Sequence, residues 1–152
     1  MYVLFAVDLS EPTPTVRTAE DFADRLGGDL LVLHVVPPYT VAPLMPLDPL
    51  TGLTGYAPYT AYDVSLERDI EHATARAFHS YLAERFPRPV RAALRTGDPA
   101  RIILSDAEEQ GAGVIIMGKR QHSRMQHFLL GSVTNQVIRH STVPTILIPI
   151  QE

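Results

Sequence analysis

The chain has 152 residues, of which 45% are hydrophobic and 20% charged, with a formal net charge of −4. That length suffices for the core of one domain, and the composition is that of a globular protein. The acid excess argues against nucleic acid or an anionic membrane surface as a general partner, and the lack of cysteine removes disulfides, thiolate metal sites and a cysteine nucleophile.

Tyr2 to Val7 is an unbroken apolar run, as expected of a strand buried on both faces. It meets Asp8 too early, and without a basic lead, to be a signal peptide. No stretch approaches the roughly 20 apolar residues of a membrane span, so a cytoplasmic protein without membrane insertion is expected. Asp8-Leu-Ser10-Glu-Pro12 reads as a turn. A helix is predicted over Thr13 to Leu26, with Val16, Ala19, Phe22, Ala23 and Leu26 on its apolar face and Gly27-Gly28 as its stop. Leu30 to Val36 is a second buried strand. Residues 37 to about 62 carry six prolines and four tyrosines, which excludes a helix. A lid, a dimer contact and a plain surface loop are the readings open for this insertion.

A long helix is predicted from Asp63 to Arg85, with Leu66, Ile70, Ala73, Ala77 and Tyr81 facing inward. Val90 to Leu94 is a third strand. Asp98-Pro99 opens a helix over Ala100 to Glu109, since proline suits a first helical turn. Gly113 to Met117 is the fourth strand, Ser132 to His140 the last helix, and Pro144 to Ile150 the fifth strand. Strands alternating with helices imply an α/β fold, a doubly wound five-stranded parallel sheet with helices on both faces, in one domain over 1–152. Ligands of such sheets bind at the carboxyl ends of strands, near the switch in strand order.

The segment 118–134 is the most informative. Gly118 closes the fourth apolar run, a polar loop with Lys119, Arg120, His122, Arg124 and His127 follows, and Gly131-Ser132 opens a helix. A strand, a basic loop and a glycine-serine helix start suit an anion, because bare N–H groups point at it and glycine lets the main chain come close. The spacing fits neither a Walker A loop nor G-x-G-x-x-G. Competing readings are a solvated charged face for the loop and simple caps for Asp8 and Ser132. His34, between Leu33 and Val35, reads as a satisfied interior histidine. No metal-ligand spacing is evident.

Four stretches resemble the universal stress proteins of the UspA superfamily over essentially the whole chain. They are Val7-Asp8-Leu9-Ser10-Glu11, Leu33-His34-Val35-Val36, Gly97-Asp98-Pro99-Ala100 through Ile103, and Ile116-Met117-Gly118 through Gly131-Ser132-Val133-Thr134 with Val143-Pro144. In nucleotide-binding members the last stretch reads G-x2-G-x9-G-[ST]. Here the spacing is kept, but Gln121 replaces the second glycine. Its side chain would either fill phosphate space or donate to a phosphate oxygen. The retained glycines place the chain nearer the ATP-binding branch, with a Rossmann-like fold of the adenine nucleotide alpha hydrolase type.

By this resemblance Val7 and Asp8 would receive adenine, and Val36 would pack beside adenine or ribose. Met117 and Gly118 would approach the ribose and α-phosphate. Gly131, Ser132, Val133 and Thr134 would hold phosphates, with Lys119, Arg120 and His122 adding positive charge. The implied ligand is ATP, ADP or AMP, with or without Mg. The implied state is a homodimer through the last strand, 144–150, acting on a regulatory protein partner. Three functions follow: a nucleotide-dependent sensor, a nucleotide-free interaction protein blocked by Gln121, and a slow ATPase. The loop carries no carboxylate to activate water, which favours binding over turnover.

Overall fold

A computed structural model describes residues 1–37, 64–120 and 131–150. The chain runs β1 (Tyr2–Val7), α1 (Thr13–Leu26), β2 (Asp29–Val36), α2 (Val64–Arg85), β3 (Arg91–Thr96), α3 (Pro99–Glu109), β4 (Ala112–Arg120), α4 (Ser132–His140) and β5 (Thr145–Ile150). The strands form one sheet in the order β3-β2-β1-β4-β5, every pair parallel. The expected α/β fold is therefore present. The insertion expected at 37–62, apart from Pro37, lies outside the described residues, as do Gln121, His122, Arg124 and His127.

Strand alternation sorts the core into two layers. Val3, Phe5, Val7 and Val32 pack on Val16, Ala19 and Ala23 of α1 and on Phe78 and Tyr81 of α2. Leu4, Ala6, Leu31 and Leu33 pack on Ala100, Ile103 and Ala107 of α3 and on Val137 of α4. Both faces of β1 are thus dry, which is why it is apolar without alternation. Right-handed crossovers on each side of β1 put α1 and α2 on one face and α3 and α4 on the other. The chain reverses its direction of winding between β1 and β4, so the loops leaving these two strands part and open a crevice.

Local signals set the helix ends. Gly27 takes φ 64°, and its N–H and that of Gly28 reach Asp24 O and Ala23 O at 3.1 and 3.0 Å, closing α1. Asp98 caps α3 by accepting from the Arg101 N–H at 2.9 Å, with Pro99 at its first position.

Three expectations need correction. Phe22 and Leu26 are 37% and 46% exposed, so the buried face of α1 is narrower than predicted and rests on Thr15, Val16, Ala19 and Ala23. The inner stripe of α2 runs through Phe78, Tyr81 and Phe86, just past the helix end, while Ala73 and Ala77 face solvent. Tyr81 is buried as expected, and turning the helix this way adds the Phe78 ring in place of two methyl groups, which removes more apolar area from water. Finally, β4 does not stop at Met117. It pairs with β5 through Gly118↔Ile148, Lys119↔Pro149 and Arg120↔Ile150, because ladder bonds to a neighbouring strand override the polar side chains.

Candidate functional site

The loop after β1 is built around two carboxyls. Asp8 Oδ1 accepts from the Ser10 N–H at 2.9 Å and from the Ser10 hydroxyl. This is an Asx turn, not a helix cap: α1 starts after Pro12 and has no side-chain cap. Leu9, inside the turn, is left-handed at φ 72°, a conformation costing a leucine about 1–2 kcal/mol. Something must hold the loop in that shape.

Glu11 does so from beneath. It is 3% exposed. Its Oε1 accepts from the Asp8 N–H at 3.0 Å, and its Oε2 lies 3.4 Å from the Tyr81 hydroxyl, which donates to it. The Arg85 Nε–H donates to the Glu11 carbonyl at 3.4 Å. Helix α2 is thereby tied to the β1 loop by two side chains.

The environment drives the two acids apart. Burial pushes Glu11 up, and the Asp8 charge adds to this over the opposing hydrogen bond from the Asp8 N–H, so its carboxyl reaches about 7. Burial raises Asp8 too, but hydrogen bonds from Ser10 and the Arg120 guanidinium outweigh it and hold that carboxyl below its usual range. Arg120 Nη2 is 3.6 Å from Asp8 Oδ2, with both side chains more than half exposed. A pair so wet contributes at most about 1 kcal/mol and can be exchanged for a ligand. Tyr81 is raised by burial and by Glu11 beside it.

The facing wall is the start of α4. Its cap residue Gly131 has φ −56° and ψ 155° and gives no side-chain cap. The first bond into that residue comes from the Asn135 N–H, 2.9 Å from Gly131 O. The N–H groups of Ser132, Val133 and Thr134 precede it and have no acceptor within the helix. A Cβ at Gly131 would meet no described atom within 4 Å, whereas one at Gly118 would come to 2.8 Å from Ile150 Cδ1 and 3.2 Å from Glu11 Cγ. Gly118 is therefore a packing glycine, and Gly131 is free of contact among the described residues.

Between these walls lies a cavity of about 500 Å³ at the carboxyl ends of β1, β2 and β4, within the range that holds small molecules. Nine of the ten predicted site residues line it: Val7, Asp8, Met117, Gly118, Lys119, Gly131, Ser132, Val133 and Thr134. Val36 does not. Its neighbours Val35 and Pro37 do, and the Val36 carbonyl accepts from the Gly97 N–H at 2.9 Å. A second hollow of about 450 Å³ opens at the other end of the sheet, among Glu20, Asp24, Asp29, Arg88 and Arg91. It holds none of the predicted residues.

The cavity is also lined by residues the sequence did not assign to the site, namely Glu11, His34, Pro99, Ile103 and Ile150. His34 is satisfied as expected, its Nδ1 2.8 Å from Val7 O and its ring against Phe78, yet it also reaches the cavity. Among the described residues no cluster of three potential metal ligands occurs, and no helix is long and apolar enough to cross a membrane.

The family model for the universal stress protein family matches residues 1–149. The chain belongs to the universal stress protein family. Universal stress protein YxiE of Bacillus subtilis is 38% identical over 52 residues, 34% of this chain and 35% of that protein. Universal stress protein MJ0577 of Methanocaldococcus jannaschii is also 38% identical over 52 residues, 34% of this chain and 32% of that one. The chain thus aligns with about a third of the length of each of these relatives. The solved structure of MJ0577 superposes with a TM-score of 0.69 at 19% identity, over 99% of this chain and 96% of that one. A universal stress protein solved in complex with cAMP superposes with a TM-score of 0.57 at 17% identity, over 99% and 98%. These likenesses fix the fold of this universal stress protein.

Proposed function

We propose that this universal stress protein binds an adenine nucleotide in the cavity between β1 and α4 and works as a ligand-dependent regulator. The observation that carries the reading is the start of α4: three N–H groups without helical acceptors beside a glycine whose Cβ would meet no described atom within 4 Å. Such a helix end suits phosphate, and Lys119 and Arg120 supply positive charge on the same cavity. Asp8 and the main chain of Val7 stand at the opposite wall, suited to the exocyclic amine and ring nitrogens of a base. The complex of a family member with cAMP supports the adenine half of the reading. ATP, ADP and AMP carry the same adenine and so belong to the same reading.

The cavity acids, Asp8 and Glu11, belong to the β1 loop and not to α4, so binding without fast hydrolysis is the favoured activity. Any Mg would be held through ligand phosphates. One domain, a cytoplasmic location and a homodimer through β5 complete the proposal.

The test is calorimetry on nucleotide-stripped protein with ATP, AMP and cAMP. Saturable binding is expected for at least one of them. An absence of heat at millimolar ligand would reject the reading and favour the nucleotide-free interaction protein.

A further inference from the structure

We propose that Glu11 is a positioning residue for the cavity: its carboxyl fixes the main chain at Asp8 and makes the base-binding end answer to the seating of helix α2. The inference deepens the nucleotide-binding reading, and one arm of its test is independent of it.

Glu11 joins the β1 loop to α2 through three bonds: Oε1 to the Asp8 N–H, Oε2 to the Tyr81 hydroxyl, and its carbonyl to Arg85 Nε. Tyr81 is 5% exposed and set edge-on to Phe86, so its hydroxyl has little freedom to move. Above the Glu11 stem sits Gly118, where a Cβ would come to 3.2 Å from Glu11 Cγ. The carboxyl is confined from below by α2 and from above by β4. Leu9 holds a left-handed turn without being glycine, and such a turn persists only where its surroundings over-determine it. Glu11 is the buried group that grips this turn on one side, as Ser10 grips the Asp8 carboxylate on the other.

Glu11 also lines the cavity. The carboxyl is already dry, so an anionic ligand there would act by bringing a like charge. That charge favours the neutral acid, which still accepts from the Asp8 N–H. Binding would then take up a proton and weaken as the carboxyl ionises. The groups facing Glu11 are Asp8 on its own loop and Tyr81 and Arg85 on α2. Arg120 of β4 reaches it through Asp8, and His34 of β2 shares the cavity.

The ligand-free arm follows the Asp8 amide by heteronuclear NMR from about pH 5.5 to about pH 8.5, with the Tyr81 and Arg85 signals alongside. In the wild type all three should titrate together. In Glu11→Gln, which keeps a carbonyl for the Asp8 N–H and an amide for Tyr81, that titration should vanish with the shifts otherwise unchanged. An Asp8 amide that is flat in the wild type, or that titrates alike in E11Q, overturns the proposal.

The ligand arm uses cAMP, whose single phosphodiester charge does not change across this range. Wild-type affinity should fall about tenfold from the lower to the higher pH. E11Q should bind at both pH values as the wild type does at the lower one. Glu11→Ala should bind about tenfold more weakly at both, with the carbonyl grip gone. A pH slope that survives in E11Q belongs to another group and refutes the assignment. Equal affinity in E11A refutes it as well. Should no variant bind cAMP, ATP or AMP, the nucleotide reading fails while the Asp8 amide still decides the role of Glu11.

Discussion

Replacing Glu11 with glutamine should change how stability depends on pH more than it changes stability itself. Glu11 has an ordinary value of 4.5 and is carried to about 7 in the fold by burial. The folded state therefore keeps a proton that the unfolded chain releases, and the difference amounts to about 3 kcal/mol. The sign follows from which state holds the proton. The full contribution is present below 4.5, declines as pH rises, and is gone once pH has passed through about 7. Between about pH 5.5 and about pH 8.5 the wild type should lose about 2 kcal/mol through this group alone. Glutamine has no proton to lose, and its amide can satisfy both Asp8 and Tyr81. Urea unfolding of both proteins at the two pH values isolates the effect, because all other titrating groups cancel in the comparison. E11Q should be roughly as stable as the wild type at the lower pH and about 2 kcal/mol more stable at the higher. Parallel losses in the two proteins would show that Glu11 ionises as freely folded as unfolded, and the account of its burial would be wrong.

Other substitutions probe the remaining parts. Gly131→Thr should leave stability within about 0.5 kcal/mol, since threonine caps a helix about as well as glycine and no described atom lies within 4 Å of its Cβ. The same variant should lower nucleotide affinity at least about tenfold in calorimetry if phosphate approaches that main chain, and unchanged affinity would argue against it. Gly118→Ala should cost about 1–3 kcal/mol by urea unfolding, because the new methyl meets Ile150 Cδ1 at 2.8 Å. A neutral result would mean that β5 yields easily there. Phe78→Ala removes a ring 5% exposed beside His34 and should cost about 3–5 kcal/mol. A loss below about 1 kcal/mol would contradict the placement of α2 on the sheet.

The fold could be read from the sequence because both faces of β1 and much of β2 are covered, so their residues form bare apolar runs bounded by glycine, proline and aspartate. The end of β4 was not legible. Gly118-Lys119-Arg120 has the composition of a loop, and only its pairing with β5 makes it strand. The facing of α2 differs from its alanine pattern for a similar reason: Ala73 and Ala77 at helical spacing look like a core stripe with Tyr81, but Phe78 takes the buried place beside that tyrosine. At the site, motif spacing located the residues of β1, β4 and α4, whose positions follow from the topology. Glu11 escaped notice although it lies in the same motif. An acid in a turn reads as a polar surface residue, and its burial depends on Tyr81, 70 positions along the chain.

Ile150 gives the sheet edge a direct voice in the cavity. It belongs to β5, an outermost strand, yet it lines the cavity and presses on Gly118. A second chain aligned along that edge would rest on the same strand that lends Ile150 to the cavity wall. Any tilt of β5 from such an attachment would move the Ile150 side chain against Gly118 and, one contact further, the Glu11 stem. Assembly and occupancy would then be read on one lever, with no separate relay between them.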